Sequence, residues 1–356
     1  MKASHLALVI AICAHSVFAQ EAPVDMQKAR EIFERAKRGE AVTPEERAYV
    51  DRAQREMRNR NQPPPPEPWT QHLTPLTELG TGQYKGEDGG LYGGGKNEPP
   101  ASQLAAAMKA SEQVTPLDAE GKLSADGKIG LMSAGMSNTT QEFSTWRDRM
   151  KSDREISPKV AIVDCAQGAR TSIRWADASS DVWPEVDKRL KAAGVSEKQI
   201  QVIWLKLAEG GPRYLGEFPK HAQVLKDNTA KALTNLHAKF PNLKLVYLSS
   251  RIYAGYANTH LNPEPYAYES AFSMRWLIQD QIAGKAEIKS LPVLLWGPYL
   301  WADGDTPRKA DGLVYKPEDL GQDGTHPSRT GQVKVADLLT TFFKGDATTK
   351  SWFLAK

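Results

Sequence analysis

From Ile129 onward the chain alternates short apolar runs with longer amphipathic stretches, and few folds accept that alternation. The runs at 129–134, 160–165, 201–207, 244–249 and 292–296 are rich in Val, Ile and Leu, as expected of strands buried on both faces. Helical spacing recurs at 141–151, 183–193, 221–240, 268–283 and 330–343. Strands separated by helices favour parallel pairing, because a parallel neighbour needs a long crossover. The expected fold is therefore α/β: a three-layer α/β/α, doubly wound, mainly parallel sheet of the flavodoxin-like kind, with extra segments before it. In such sheets ligands bind beyond the carboxyl ends of the strands, so the strand-end loops are the places to search for chemistry.

Ahead of this region lie segments of different composition. Lys2, an apolar run from Leu6 to Cys13, and Val17-Phe18-Ala19 before Gln20 read as a secretory signal at 1–19. Ile12 is too bulky before Cys13 for lipoprotein processing, which favours simple cleavage. Removing the signal leaves Cys165 as the lone cysteine and excludes an internal disulfide. The expected location is secreted or periplasmic, with no later apolar stretch of membrane-spanning length. Residues 20–62 read as a helical hairpin: Ile32, Phe33 and Ala36 share one face, Gly39 breaks the pattern, and Thr43-Pro44-Glu45-Glu46 restarts it. The thin apolar face fits either a solvated appendage or an interaction element.

Residues 63–128 read as a linker and covering segment, beginning with the stiff run Pro63 to Pro66. A Gly-rich stretch around Tyr92 and Asn97 lacks a phosphate-loop pattern and reads as an irregular covering loop, or alternatively as a lid on the substrate side. The α/β domain is expected from 129 to 356. A formal charge of +3 spread over 356 residues, without a basic block, argues against nucleic acid as a partner. Oligomeric state has no signature in the sequence.

Two strand-end segments carry chemistry. Strand one ends in Ser133-Ala134-Gly135-Met136-Ser137-Asn138, where small residues permit a tight turn and the following helix N-terminus offers free N–H groups. Ser137 there is either a nucleophile or an ordinary helix cap. Before the last helix, Asp323-Gly324-Thr325-His326 puts a carboxylate within one turn of an imidazole. Asp323 would then orient His326 while Nε2 faces a serine. The plainer alternative is an Asp-capped surface turn. Found together, at the two ends of one sheet, the segments favour a site.

In these residues the chain resembles the SGNH (GDSL-like) hydrolases, over Ile129 to Phe343. Gly135-Met136-Ser137 corresponds to that family's first block, Gly168 in Cys165-Ala166-Gln167-Gly168 to the glycine of the second, and Asp323-Gly324-Thr325-His326 to the last. The resemblance implies catalysis by Ser137, Asp323 and His326, an oxyanion hole from the amides of Ser137 and Gly168, and no cofactor. Met136 stands where the family has aspartate, and the third block, around Lys206 and Glu209, lacks its asparagine. Loss of one oxyanion donor costs about 2.7–4 kcal/mol, which weakens such an enzyme without abolishing it. Lys206 or Asn138 is a candidate replacement, with a buried structural pair the competing reading for Lys206.

Aromatic residues crowd the later strand ends. Tyr253 and Trp301, with Arg170, Asn138 and Lys206, are candidate substrate contacts; core packing is the alternative for the rings and surface pairing for the arginine. Trp175 and Arg251 stand in similar positions. No histidine pair has metal-ligand spacing, and Asp303-Gly304-Asp305 lacks the further ligands of a calcium loop. The expected function is a secreted serine esterase removing acyl, especially acetyl, groups from a carbohydrate or small-molecule ester. A glycan-binding protein on the same scaffold is the rival reading.

Overall fold

The computed structural model describes residues 24–38, 40–60 and 64–355, so the expected signal at 1–19 lies outside the described residues. Among them the chain divides into two compact units between Pro64 and Pro65.

The first unit is a pair of helices, α1 (Met26–Lys37) and α2 (Pro44–Arg60). Asp25 caps α1 by accepting from the amides of Gln27 and Lys28. Thr43 and Glu46 cap α2 reciprocally: Thr43 Oγ1 accepts from the Glu46 amide, and Glu46 Oε2 accepts from the Thr43 amide. Arg35 pairs with Glu46 at 2.9 Å across the turn. Among the described residues the buried apolar cluster holds Val24, Ala29 and Ala53; Ile32 is also buried, while Phe33 is exposed.

In the second unit a two-stranded hairpin, β1 (Gln83–Tyr84) and β2 (Glu87–Asp88), precedes α3 (Ala101–Glu112). The alternating region follows as β3 (Ile129–Gly135), α4 (Ser137–Met150), β4 (Val160–Asp164), α5 (Ser172–Ala176), α6 (Val182–Ala192) and β5 (Ile200–Lys206). It continues through α7 (Lys220–Lys239), β6 (Leu245–Leu248), α8 (Tyr266–Ile282), β7 (Val293–Trp296), α9 (Arg329–Gly345) and α10 (Lys350–Phe353).

The five longer strands form one sheet in the order β4-β3-β5-β6-β7, every pair parallel. Counted along the chain this is 2-1-3-4-5, the doubly wound order, with its switch point between β3 and β5. Leu131 of β3 stands level with Ile162 of β4 and Val202 of β5. α4 packs on α9, and α7 packs on α5 and α8, so helices cover both faces. Stacked rings join layers: Phe143 of α4 lies on Trp204 of β5 and Trp146 on Phe343 of α9.

The second unit starts earlier than the expected 129, because residues 65–128 are built into it. The Leu76 amide donates to Tyr299 Oη, Trp296 Nε1 donates to the Leu91 carbonyl, and Arg275 of α8 is held by Glu87 and Asp88. Tyr92 and Asn97 serve the same packing: Tyr92 Oη accepts from the Trp296 amide, while Asn97 binds the Leu91 amide and the Thr77 carbonyl. No described helix is long and apolar enough to cross a membrane.

Candidate active site at the sheet switch point

β3 runs into α4 through the single residue Met136, in a turn whose tight point is Gly135. A Cβ on Gly135 would lie 2.3 Å from the Lys206 carbonyl oxygen and 2.4 Å from Thr139 Oγ1, so glycine is required by close approach. Thr139 staples the turn: its hydroxyl accepts from the Met136 amide at 3.2 Å and donates to the Lys206 carbonyl at 2.9 Å. The helix begins at Ser137, four residues before the expected 141. The first intrahelical bond runs from the Thr140 amide to the Met136 carbonyl, so the Ser137 and Asn138 amides lie ahead of it, without an intrahelical acceptor, at the positive end of the helix.

The partner loop lies between β7 and α9. Asp323 Oδ1 accepts from the amides of Thr325 and His326, both at 3.0 Å, and Oδ2 accepts from His326 Nδ1 at 2.5 Å. Gly324 has φ +63°, and a Cβ there would meet the Tyr256 carbonyl oxygen at 1.9 Å; both conformation and space demand glycine. A carboxylate only accepts, so the Nδ1 proton faces Asp323, and in that tautomer Nε2 is placed to accept from Ser137 Oγ at 2.6 Å. Partial burial pushes the Asp323 carboxyl up, but the His326 amide, the His326 ring and the Thr325 amide outweigh it and hold it below its ordinary value. All three side chains keep a partly exposed edge.

Two asparagines fix this loop. Asn138 Nδ2 donates to the Thr325 carbonyl at 3.1 Å and Oδ1 accepts from Arg251 Nη1 at 2.9 Å. Asn258 donates through its amide to the Asp323 carbonyl at 3.1 Å and through Nδ2 to the Gln322 carbonyl at 2.7 Å. Across the turn, the Gln167 amide and Trp175 Nε1 both donate to the Gly135 carbonyl, at 3.0 and 3.1 Å. That contact holds the β4 turn against the β3 turn. Gly168 follows Gln167 there, exposed, with nothing near the place a Cβ would occupy.

The other expected substrate contacts fall elsewhere. Lys206 is fully buried, its ammonium donating to both carboxylate oxygens of Glu142, at 2.6 Å to Oε1. Burial lowers the Lys206 pKa and raises that of Glu142, each opposed by the other's charge. Lys206 therefore presents no donor to a ligand. Asn138 is buried and spends its amide on the tether just described. Arg170 is partly exposed and paired with Asp181 at 2.6 Å. Arg251 and Trp175 are buried within the tethers.

Tyr253 and Trp301 are core residues. Trp301 is fully enclosed, donates from Nε1 to Glu264 Oε1 at 2.8 Å, and packs edge-on against Tyr268 and Tyr253. Their strand-end position is as expected, but residues 65–128 close over the cluster: Tyr268 Oη donates to the Thr74 carbonyl, and Tyr299 Oη receives the Leu76 amide. Among the described residues there is no metal-ligand cluster. Sequence reasoning missed Thr139 and Asn258. Threonine at the third helical position is a weak signal of a staple, whereas an asparagine in a long loop carries none.

No protein-family model matches the chain, and no curated protein sequence matches it. Among solved structures it is similar to a Bacteroides fragilis protein named as an acylhydrolase, at 14% identity and a TM-score of 0.37, over 72% of this chain and 100% of that one. A GDSL-like lipase from Bacteroides thetaiotaomicron is similar at 11% identity and a TM-score of 0.35, over 68% and 96%. An Arabidopsis thaliana protein is similar at 15% identity and a TM-score of 0.33, over 57% and 67%. Likeness of this degree leaves the chemistry to the side chains themselves.

Proposed function

We propose that the chain is a serine ester hydrolase, exported by its first nineteen residues, that removes acyl groups, acetyl in particular, from a carbohydrate. The observation that carries this reading is the line Asp323 Oδ2, His326 Nδ1, His326 Nε2, Ser137 Oγ, with hydrogen bonds of 2.5 and 2.6 Å. Nucleophile, base and orienting carboxylate at such distances are what acyl transfer requires. The helical hairpin is an accessory to the α/β unit.

Ser137 Oγ attacks the ester carbonyl carbon as Nε2 takes its proton. Asp323 stays ionised and stabilises the imidazolium. The oxyanion is received by the amide of Ser137, at the positive end of α4, and by that of Gly168 in the adjoining turn. Collapse breaks the bond to the sugar oxygen, which leaves with the proton from Nε2. Water, deprotonated by His326, then attacks the acyl-enzyme and releases the carboxylic acid. With Lys206 and Asn138 committed elsewhere, the hole works with two amides.

Ser137→Ala tests the reading on an aryl acetate. A loss of about 10⁶-fold in kcat is expected, with thermal stability within about 0.5 kcal/mol of the parent. Equal, non-zero turnover by both proteins defeats it. An active-site phosphonate is expected to label Ser137 in the parent.

A further inference from the structure

The loop that grips the Asp323 segment through Asn258 carries, two residues further on, His260, which forms part of a separate groove of about 390 Å³. Arg213 is the one Lys or Arg among the described residues lining it, and Trp69 and Tyr266 supply ring surface. Arg213 is half-buried and set in place: Nη1 donates to His260 Nε2 at 2.7 Å, Nη2 donates to Tyr214 Oη at 2.6 Å, and the guanidinium lies 4.5 Å from the Tyr214 ring centroid. Those bonds use two of its five donors. Among the described residues no carboxylate pairs with it.

Of the two acids among the described lining residues, Glu264 is buried, with its oxygens occupied by the amides of Ala254 and Tyr268 and by Trp301 Nε1. Burial pushes its carboxyl up to about 7 despite those bonds. Glu67 stands exposed on the proline-rich wall. The Trp69 indole N–H is shielded from solvent and has no acceptor among the described residues. A fixed guanidinium with open donors suits a planar carboxylate, and flanking rings suit the apolar faces of a sugar.

We propose that this groove is a subsite for a uronic-acid residue, Arg213 binding its carboxylate while Trp69 and Tyr266 face the sugar ring. The inference rests on the ester-hydrolase reading for the reaction, and makes the substrate an acylated acidic polysaccharide.

The test compares an unacetylated oligogalacturonide with its methyl ester, binding to the full chain carrying Ser137→Ala, by calorimetry. Binding of the free acid about ten- to a hundredfold tighter is expected, the range for a charge-assisted pair. Arg213→Gln is expected to erase the difference and Arg213→Lys to keep part of it. In the parent, acetylated oligogalacturonide should surpass its methyl ester in kcat/KM by a similar factor, through KM. Equal affinity for acid and ester overturns the proposal without any variant, and so does full discrimination by a folded Arg213→Gln. Acid-selective binding without turnover of aryl acetates would keep the subsite and sink the hydrolase reading; turnover without selectivity would do the reverse.

Discussion

Glu142 and Lys206 touch as closely as Asp323 and His326, and the two pairs flank the same β3 turn, yet their surroundings differ. The first pair has no exposed side-chain surface; the second keeps 25% of its histidine and 29% of its aspartate exposed. Enclosure leaves an ion pair nothing to exchange protons with, so it fixes the β5 end against α4. The exposed pair has a third member, Ser137, itself partly exposed, and under the proposed reading an ester would approach along that edge. Proximity of acid and base is therefore common to both places, and solvent exposure is what separates the pair proposed as reactive from the structural one.

The strongest way to break this contrast is Asp323→Asn. The amide oxygen can keep the bonds from the Thr325 and His326 amides, but its NH₂ faces Nδ1 and forces the tautomer with a proton on Nε2. Esterase kcat is expected to fall about 10⁴-fold with the fold intact. Retention of most activity would mean that His326 does not act as the base.

Lys206→Met attacks the enclosed pair. It strands the Glu142 carboxylate, and urea unfolding is expected to reveal a loss of about 3–5 kcal/mol, while the joint change with Glu142→Leu restores most of it. Ser137 should still take a phosphonate label in the folded protein. A near-neutral single variant would contradict the burial of this pair.

A smaller effect separates enclosed charge from exposed charge through pH. Glu264 is buried, and its pKa is raised from 4.5 to about 7. A raised carboxyl contributes stability that is full below its unfolded value and is lost as pH rises through the folded one. The contribution is about 3 kcal/mol, lost between roughly pH 4.5 and 7. Glu264→Gln is expected to flatten that part of the stability profile; an unchanged slope would place the proton elsewhere.

The sheet was legible because apolar runs of strand length record their own burial. All five strands lie within a residue or two of the expected limits. α4 starts ahead of its helical spacing: Ser137-Asn138-Thr139-Thr140 has weak helix propensity, and the Thr139 staple offsets that only once β5 is in place. The alanine-rich α3, behind its Gly and Pro stretch, was not anticipated. Tyr253 and Trp301 stood at the right strand ends but faced inward, covered by a segment about two hundred residues earlier in the chain.

By itself the sequence determined what is local: the strand and helix periods, a serine just past the first strand, and a carboxylate within one turn of an imidazole. Only tertiary structure decided which of these meet. Ser137 and His326 are 189 residues apart, and their 2.6 Å contact exists because a doubly wound sheet brings the loops after its first and last strands toward one rim. Burial belongs to the same level. Whether Lys206 or Trp301 faces a ligand depends on Glu142 of α4 and on residues 65–128, and a side chain's solvent is set by whatever distant chain covers it.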